Sequence, residues 1–300
     1  MMFKTLIISV LSLAFTVGDT AQDQEIIYGR RDGMALVMTV LKPEKPNGKA
    51  IVSIISSGWH CDHAWFATYK NRAMPFVEAG YTVFLAEHAS APRYAIPDAL
   101  LDIQTAVQYV RFHSKDFGID PNLIGITGTS SGGHLALLVA AADDIKQMQA
   151  KDPIARISSK VQAAAVFCGP TDFLNYGKPK NALRDQKALL QQLGVVDCFR
   201  YTNYDEKQNS YVVMDDASAR KTDSLMSPVH VLTADDAPVY ISHGDKDDIV
   251  PLQQSQTYVA KSQKLRIPAQ LAVKPDAGHG WKNMNEDEKG FVAWFDRYLN

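Results

Sequence analysis

The sequence predicts an α/β fold, with a mainly parallel central sheet, helices on both faces and a cap insertion. Three observations carry this. Short, unbroken apolar β-rich runs recur along the chain, segments of helical periodicity lie between them, and 46% of the 300 residues are hydrophobic against 21% charged. Parallel strands covered on both faces read as continuous apolar runs because neither face meets water. A chain of this length and composition can bury a sizeable core in one large domain.

The N-terminus stands apart. "MMFK" is followed by the uncharged, mostly apolar "TLIISVLSLAFTV" and then by small and polar residues. A short positive start, a short apolar stretch and a small-residue exit describe a secretory signal peptide. The expectation is a signal over residues 1–21 with its cleavage point left open. The remaining domain, 22–300, is then exported to the periplasm or the medium without a membrane anchor.

Along that domain, "ALVMTVLKP", "AIVSIIS" and "YTVFLAEH" are the first expected strands. "DALLDIQTAVQYVRFHS" repeats its apolar residues at helical spacing. "PNLIGITG" is a strand, and "SSGGHLALLVAAA" is a helix apolar nearly all round, hence buried. "VQAAAVFCG", "APVYISHG" and "AQLAVKP" complete the set. Between the first and second of these, residues 173–227 are polar and irregular. A segment of that length needs helices of its own. "NALRDQKALLQQLG" reads as one helix stopped by glycine, and the whole segment as a cap over the carboxyl edge of the sheet.

"GTSSGGH" marks the chemistry. In G-x-S-x-G the central residue sits on a tight strand-to-helix turn with its hydroxyl exposed above the sheet. The register Gly128-Thr129-Ser130-Ser131-Gly132 makes Ser130 that residue, because position 129 is Thr and excludes a frame centred on Ser131. A serine needs a base to take its proton, and the base needs an acid to hold its tautomer. "DKDDIVP" follows the strand "APVYISHG", and "DAGHGW", with His279, follows "AQLAVKP". The order serine, acid, histidine, each in a loop after a strand, is that of a nucleophile-elbow hydrolase. The other histidines suggest other roles. His113 lies in a helix, His243 ends a strand, and His134 sits one turn behind Ser130. His60 and His63 fall in one loop without a second ligand pair, so no metal and no cofactor are expected.

These stretches resemble the α/β-hydrolase esterases of the hormone-sensitive-lipase and bacterial feruloyl-esterase-like group, over roughly residues 30–298. The likeness rests on "GYTVFLAEHASAPRYAIPDALLDIQTAVQYVR", "GIDPNLIGITGTSSGGHLALLVA", "FCGPTDF", "SPVHVLTADDAPVYISHGDKDDIVP" and "DAGHGW". The resemblance implies Asp247 as the acid, from the D-x-x-V-P turn. The group's His-Gly-Gly-Gly-Trp loop is here Ile55-Ser56-Ser57-Gly58-Trp59, which implies backbone amides of Ser57, Gly58 and Ser131 as oxyanion donors. Its usual Tyr-Arg is His88-Ala89, which makes His88, with Trp59 and Trp65, a candidate for the substrate pocket.

The implied activity is a secreted serine esterase, a carboxylic ester hydrolase, acting on short acyl esters such as acetyl or feruloyl groups on a carbohydrate or other small molecule. Four of the six cap aromatics are tyrosines, which suit a sugar ring. The same aromatics filling the cap's own core is the competing reading. A prolyl-oligopeptidase-type peptidase and a non-catalytic binding module on the same scaffold remain alternatives. The formal net charge of −2 gives no basic excess for a nucleic-acid partner. Cys61, Cys168 and Cys198 allow at most one disulfide, and Cys168 reads as a small buried core residue. The oligomeric state is left open.

Overall fold

The computed structural model describes residues 23–300, so the expected signal segment lies outside the described residues. Among the described residues ten strands occur: β1 (Gln24–Arg31), β2 (Met34–Leu41), β3 (Ala50–Ile54), β4 (Thr82–Ala86), β5 (Ile124–Thr129), β6 (Ala163–Phe167), β7 (Thr202–Asp205), β8 (Ser210–Val213), β9 (Val239–Gly244) and β10 (Ala269–Lys274). Eight form one sheet in the order β1-β2-β4-β3-β5-β6-β9-β10. β1 and β2 are antiparallel to their neighbours, and all later pairings are parallel. This order is that of an α/β-hydrolase fold.

The sheet's apolar runs are explained by cover on both faces. Every residue of β3, β4 and β6 is buried. The longer helices are α1 (Phe66–Glu78), α2 (Ile96–Phe112), then the short α3 (Ser114–Phe117), and α4 (Ser131–Ala141). After α5 (Lys187–Gln192), α6 (Asp216–Leu225) and α7 (Pro228–Val231) come α8 (Gln253–Lys264) and α9 (Met284–Tyr298). α1 and α9 pack together on one face, while α2, α4, α7 and α8 form a connected layer on the other. All eleven residues of α4 are buried, as its all-round apolar sequence requires. Among the described residues, no helix is long and apolar enough to cross a membrane.

Residues 173–227 hold no strand of the main sheet. They carry short helical turns, α5, the separate β7–β8 hairpin and α6. The single helix expected over 181–194 is broken: a 3-10 turn at Leu183–Asp185 ends at Gln186, with ψ 59°, and α5 starts anew. Three rings fill the interior here, since Phe173, Phe199 and Tyr201 are each no more than 2% exposed. A buried ion pair joins them: Arg184 donates from Nε and Nη2 to Asp223 at 2.6 and 2.9 Å. The Tyr201 hydroxyl donates to the same carboxylate at 2.9 Å. All three cysteines are free.

Candidate active site

Ser130 sits between the end of β5 and the start of α4, at φ 55° and ψ −121°. A non-glycine residue there is strained by about 1–3 kcal/mol and needs its surroundings to hold it. The Ser130 amide donates to Phe167 O at 3.0 Å, and its carbonyl accepts from the His134 amide at 2.8 Å. The turn is so tight that a Cβ on Gly128 would fall 2.4 Å from the Gly132 backbone, so position 128 admits only glycine.

The loops after β9 and β10 bring the other two groups to this hydroxyl. His279 Nε2 lies 2.8 Å from Ser130 Oγ, and His279 Nδ1 lies 2.8 Å from Asp247 Oδ2. The other carboxylate oxygen, Oδ1, accepts from the amides of Ile249 and Val250 at 3.0 and 2.8 Å. Burial pushes the Asp247 carboxyl up, but the His243 and His279 imidazoles and the Val250 amide together hold it well below the usual carboxylate range. An ionised carboxylate only accepts, so Nδ1 of His279 carries a proton, and when the ring is neutral Nε2 presents a lone pair to the Ser130 hydroxyl. Burial disfavours the charged imidazole of His279, but Asp247 and the Cys168 sulfur outweigh it, so its pKa is raised.

The loop after β3, expected to carry oxyanion donors, is a two-residue turn. The Ser57 amide donates to His60 O at 2.9 Å and the His60 amide to Ser57 O at 3.0 Å. Gly58 and Trp59 between them both have φ 57°. Positive φ at both central residues is type I′ geometry, which favours glycine. A Cβ on Gly58 would lie 2.8 Å from Val195 Cγ1 of the cap, a second reason for glycine there. Trp59 is an aromatic residue held left-handed. Its Nε1 donates to His134 Nδ1 at 3.0 Å, and its ring meets His134, Phe173 and Phe199 edge-on. His134 Nε2 in turn donates to Met226 O at 2.8 Å, and burial lowers this imidazole to about 4, so it stays neutral.

This geometry corrects two expectations. The Ser57 amide closes the turn on His60 O and is not an oxyanion donor. The Gly58 and Ser131 amides meet no acceptor among the described residues, and both residues line the cavity above Ser130. His88 does not reach that cavity. Its Nδ1 donates to Ala89 O at 2.8 Å, and the residue lines a separate depression with Met34, Leu36 and Tyr94. Burial lowers its pKa to about 4.

The cavity itself has a volume of about 580 Å³. Trp59 and Trp65 both line it, Trp59 while almost fully buried. Its cap-side wall is aliphatic, from Leu183, Leu190, Leu193 and Val195. Of the cap aromatics only Tyr176 lines it, and its hydroxyl is already committed to Ile249 O at 2.7 Å. Phe173, Phe199 and Tyr201 fill the cap core, while Tyr204 and Tyr211 face each other on the exposed β7–β8 hairpin. The tyrosine content therefore gives no sugar platform at the nucleophile. Part of the aliphatic wall was signalled in the sequence by "KALLQQLGVV", which supplies Leu190, Leu193 and Val195.

His60 and His63 turn apart. His60 Nε2 pairs with Gly194 O at 3.2 Å and His63 Nδ1 with Glu87 at 3.0 Å. Among the described residues, one group of three metal-ligating side chains converges, Cys168, Asp247 and His279, with ligand atoms within 4.8 Å of one another. Its Asp247 and His279 are already hydrogen-bonded to each other.

The BD-FAE family model matches residues 38–261, which contain the elbow, the oxyanion turn, the cap and Asp247. The chain belongs to the BD-FAE family. Among the relatives of this BD-FAE chain are the probable carboxylic ester hydrolase LipM and the esterase LipC of Mycobacterium tuberculosis. LipM is 30% identical over 68% of this chain and 43% of its own length. LipC is 26% identical over 90% and 62%. The chain spans about half the length of the curated relatives it matches. Among solved structures, a truncated carbohydrate esterase from gut microbiota superposes with a TM-score of 0.70 at 22% identity, covering 91% of this chain and 96% of that one. An acetyl ester-xyloside bifunctional hydrolase from Caldicellulosiruptor lactoaceticus gives 0.70 at 20%, with the same coverage. These likenesses show the shared fold.

Proposed function

We propose that this BD-FAE chain is a serine esterase that hydrolyses carboxylic esters through an acyl-enzyme on Ser130. The observation that carries the reading is the unbroken line from Ser130 Oγ through His279 to Asp247, with both links at 2.8 Å. Ser130 Oγ attacks the ester carbonyl as its proton passes to His279 Nε2, and Asp247 steadies the imidazolium that forms. The Gly58 and Ser131 amides receive the oxyanion. His279 then returns the proton to the leaving alcohol, and water repeats the sequence to release the acid. Named ester hydrolases among the relatives support the same chemistry.

The substrate proposed is a short acyl ester of a polar alcohol such as a sugar, acetyl and feruloyl esters included. The cavity volume falls within the range of small-molecule sites. Its aliphatic wall suits the acyl part, and His60, Asp62 and Ser90 elsewhere in the lining suit a polar alcohol. The carbohydrate esterase and the acetyl ester-xyloside hydrolase among the structural neighbours support that choice. Export, proposed from the apolar run at residues 5–17, would put the enzyme where acylated polymers occur.

The deciding experiment is covalent labelling with a fluorophosphonate. Ser130→Ala is expected to lose both labelling and hydrolysis, while Ser131→Ala still labels, more slowly. Labelling that persists in Ser130→Ala would overturn the assignment.

A further inference from the structure

Two serines stand where the resembling esterases have glycines, and only one closes the turn. Ser56 takes a different part. Its Oγ lies 3.0 Å from Oγ of Ser131, and both residues are 1% exposed. Ser131 is the residue whose amide lies directly behind the nucleophile. The backbone of Ser56 is pinned as well: its carbonyl accepts from the Tyr69 hydroxyl at 2.6 Å, and its amide donates to that oxygen at 3.3 Å. Tyr69 belongs to α1, on the far face of the sheet, so the loop is fixed before it reaches the turn.

Neither hydroxyl can turn to solvent. Removing one would leave the other buried without this partner, and such loss is felt more than at the surface. The bond also joins two pieces of chain that sequence holds 75 residues apart. One carries the Gly58 amide and the other the Ser131 amide. Oxyanion donors act only when they lie about 2.7–3.1 Å from the developing charge, so a small drift between the two pieces weakens both.

We propose that Ser56 and Ser131 are positioning residues for the oxyanion hole, their buried hydroxyl pair latching the loop that carries the Gly58 amide to the helix that carries the Ser131 amide. Neither hydroxyl touches the substrate. Each acts through a backbone N–H, one on its own residue and one two residues along. The latch rests on the serine-esterase reading of the site.

The test is a double-mutant cycle of Ser56→Ala and Ser131→Ala on p-nitrophenyl acetate, with phenylboronic acid as a tetrahedral mimic on Ser130. Each single variant is expected to lose about tenfold in kcat, a fraction of what removing a whole donor costs, with KM nearly unchanged. Boronate affinity should fall in the same proportion. The double variant should lose no more than the worse single, because the two hydroxyls act as one unit. Ser56→Thr, which keeps a hydroxyl, should retain most of the rate. If Ser56→Ala does not fold, Ser56→Cys replaces it, with the same loss of kcat expected. Losses that multiply in the double variant, or a raised KM at unchanged kcat, overturn the latch. So does full kcat in both single variants of a protein that hydrolyses the ester and labels with fluorophosphonate. A wild-type protein that does neither overturns the esterase reading, and the latch with it.

Discussion

The carboxylate of Asp247 is ringed by donors: two amides on Oδ1, and on Oδ2 the ring of His279, with His243 Nε2 3.1 Å away. With its side chain fully buried, it has no water to fall back on. Asp247→Asn keeps the shape but cannot hold the same tautomer, and kcat is expected to fall by about 10⁴-fold, as for triad acids in general. Asp245→Asn and Asp248→Asn, on exposed side chains of the same turn, should leave turnover near wild type. A crippled Asp248→Asn would move the acid by one residue. The same carboxylate sets the pH dependence. In the proposed mechanism His279 is a base only when neutral, and its pKa is raised, so kcat/KM should climb with pH through that raised value. Asp247→Asn should shift the acid limb to lower pH. Stability runs the other way: the charged pair contributes in full below the unfolded imidazole value of about 6.5 and fades as pH rises through the raised one.

At the scale of elements, the oxyanion turn makes the sharpest prediction. Gly58→Ala would force a Cβ against Val195 at a left-handed residue, and it should lose most activity and about 1 kcal/mol or more of stability, read by ester hydrolysis and thermal unfolding. The cap makes another. Arg184→Ala would strand the buried Asp223 charge with Tyr201 alone, and should cost about 3–5 kcal/mol in an unfolding titration. How legible such elements were in the sequence follows from their physics. The inner strands were plain because burial on both faces leaves an unbroken apolar run, as in "AAAVF" of β6. Ser130, Asp247 and His279 were legible as candidates because each follows a strand, although β10, which precedes His279, has no buried residue. β7 and β8 carry no such signal: they are mostly exposed on both faces, so no alternation marks them. The helix expected over 181–194 is broken because the backbone turns at Gln186, which nothing in its periodicity shows. The fate of the Ser57 amide is not legible in the sequence, because the His60 carbonyl that takes it becomes a partner only once the chain turns at Gly58 and Trp59. Tyrosine is as much at home in a core as on a surface, so composition did not tell the buried Tyr201 from the exposed Tyr211.

For the whole molecule the prediction concerns which esters the cavity admits. Activity on p-nitrophenyl esters should peak at short acyl chains and extend to acetylated or feruloylated sugars. A peak at decanoate or beyond, with no turnover of the sugars, would reject the substrate reading and leave the triad untouched. The molecule's layout also bears on how such a preference changes over time. One neutral imidazole, His134, joins the oxyanion turn through Trp59 to the cap's exit at Met226. The β7–β8 hairpin lies at the other extreme: its two strands pair with each other and with no strand of the main sheet. The cap is thus moored at its base and unencumbered at its tip. Insertions and exchanges at the tip would therefore leave the mooring in place, and the surface there could change without disturbing the arrangement around Ser130.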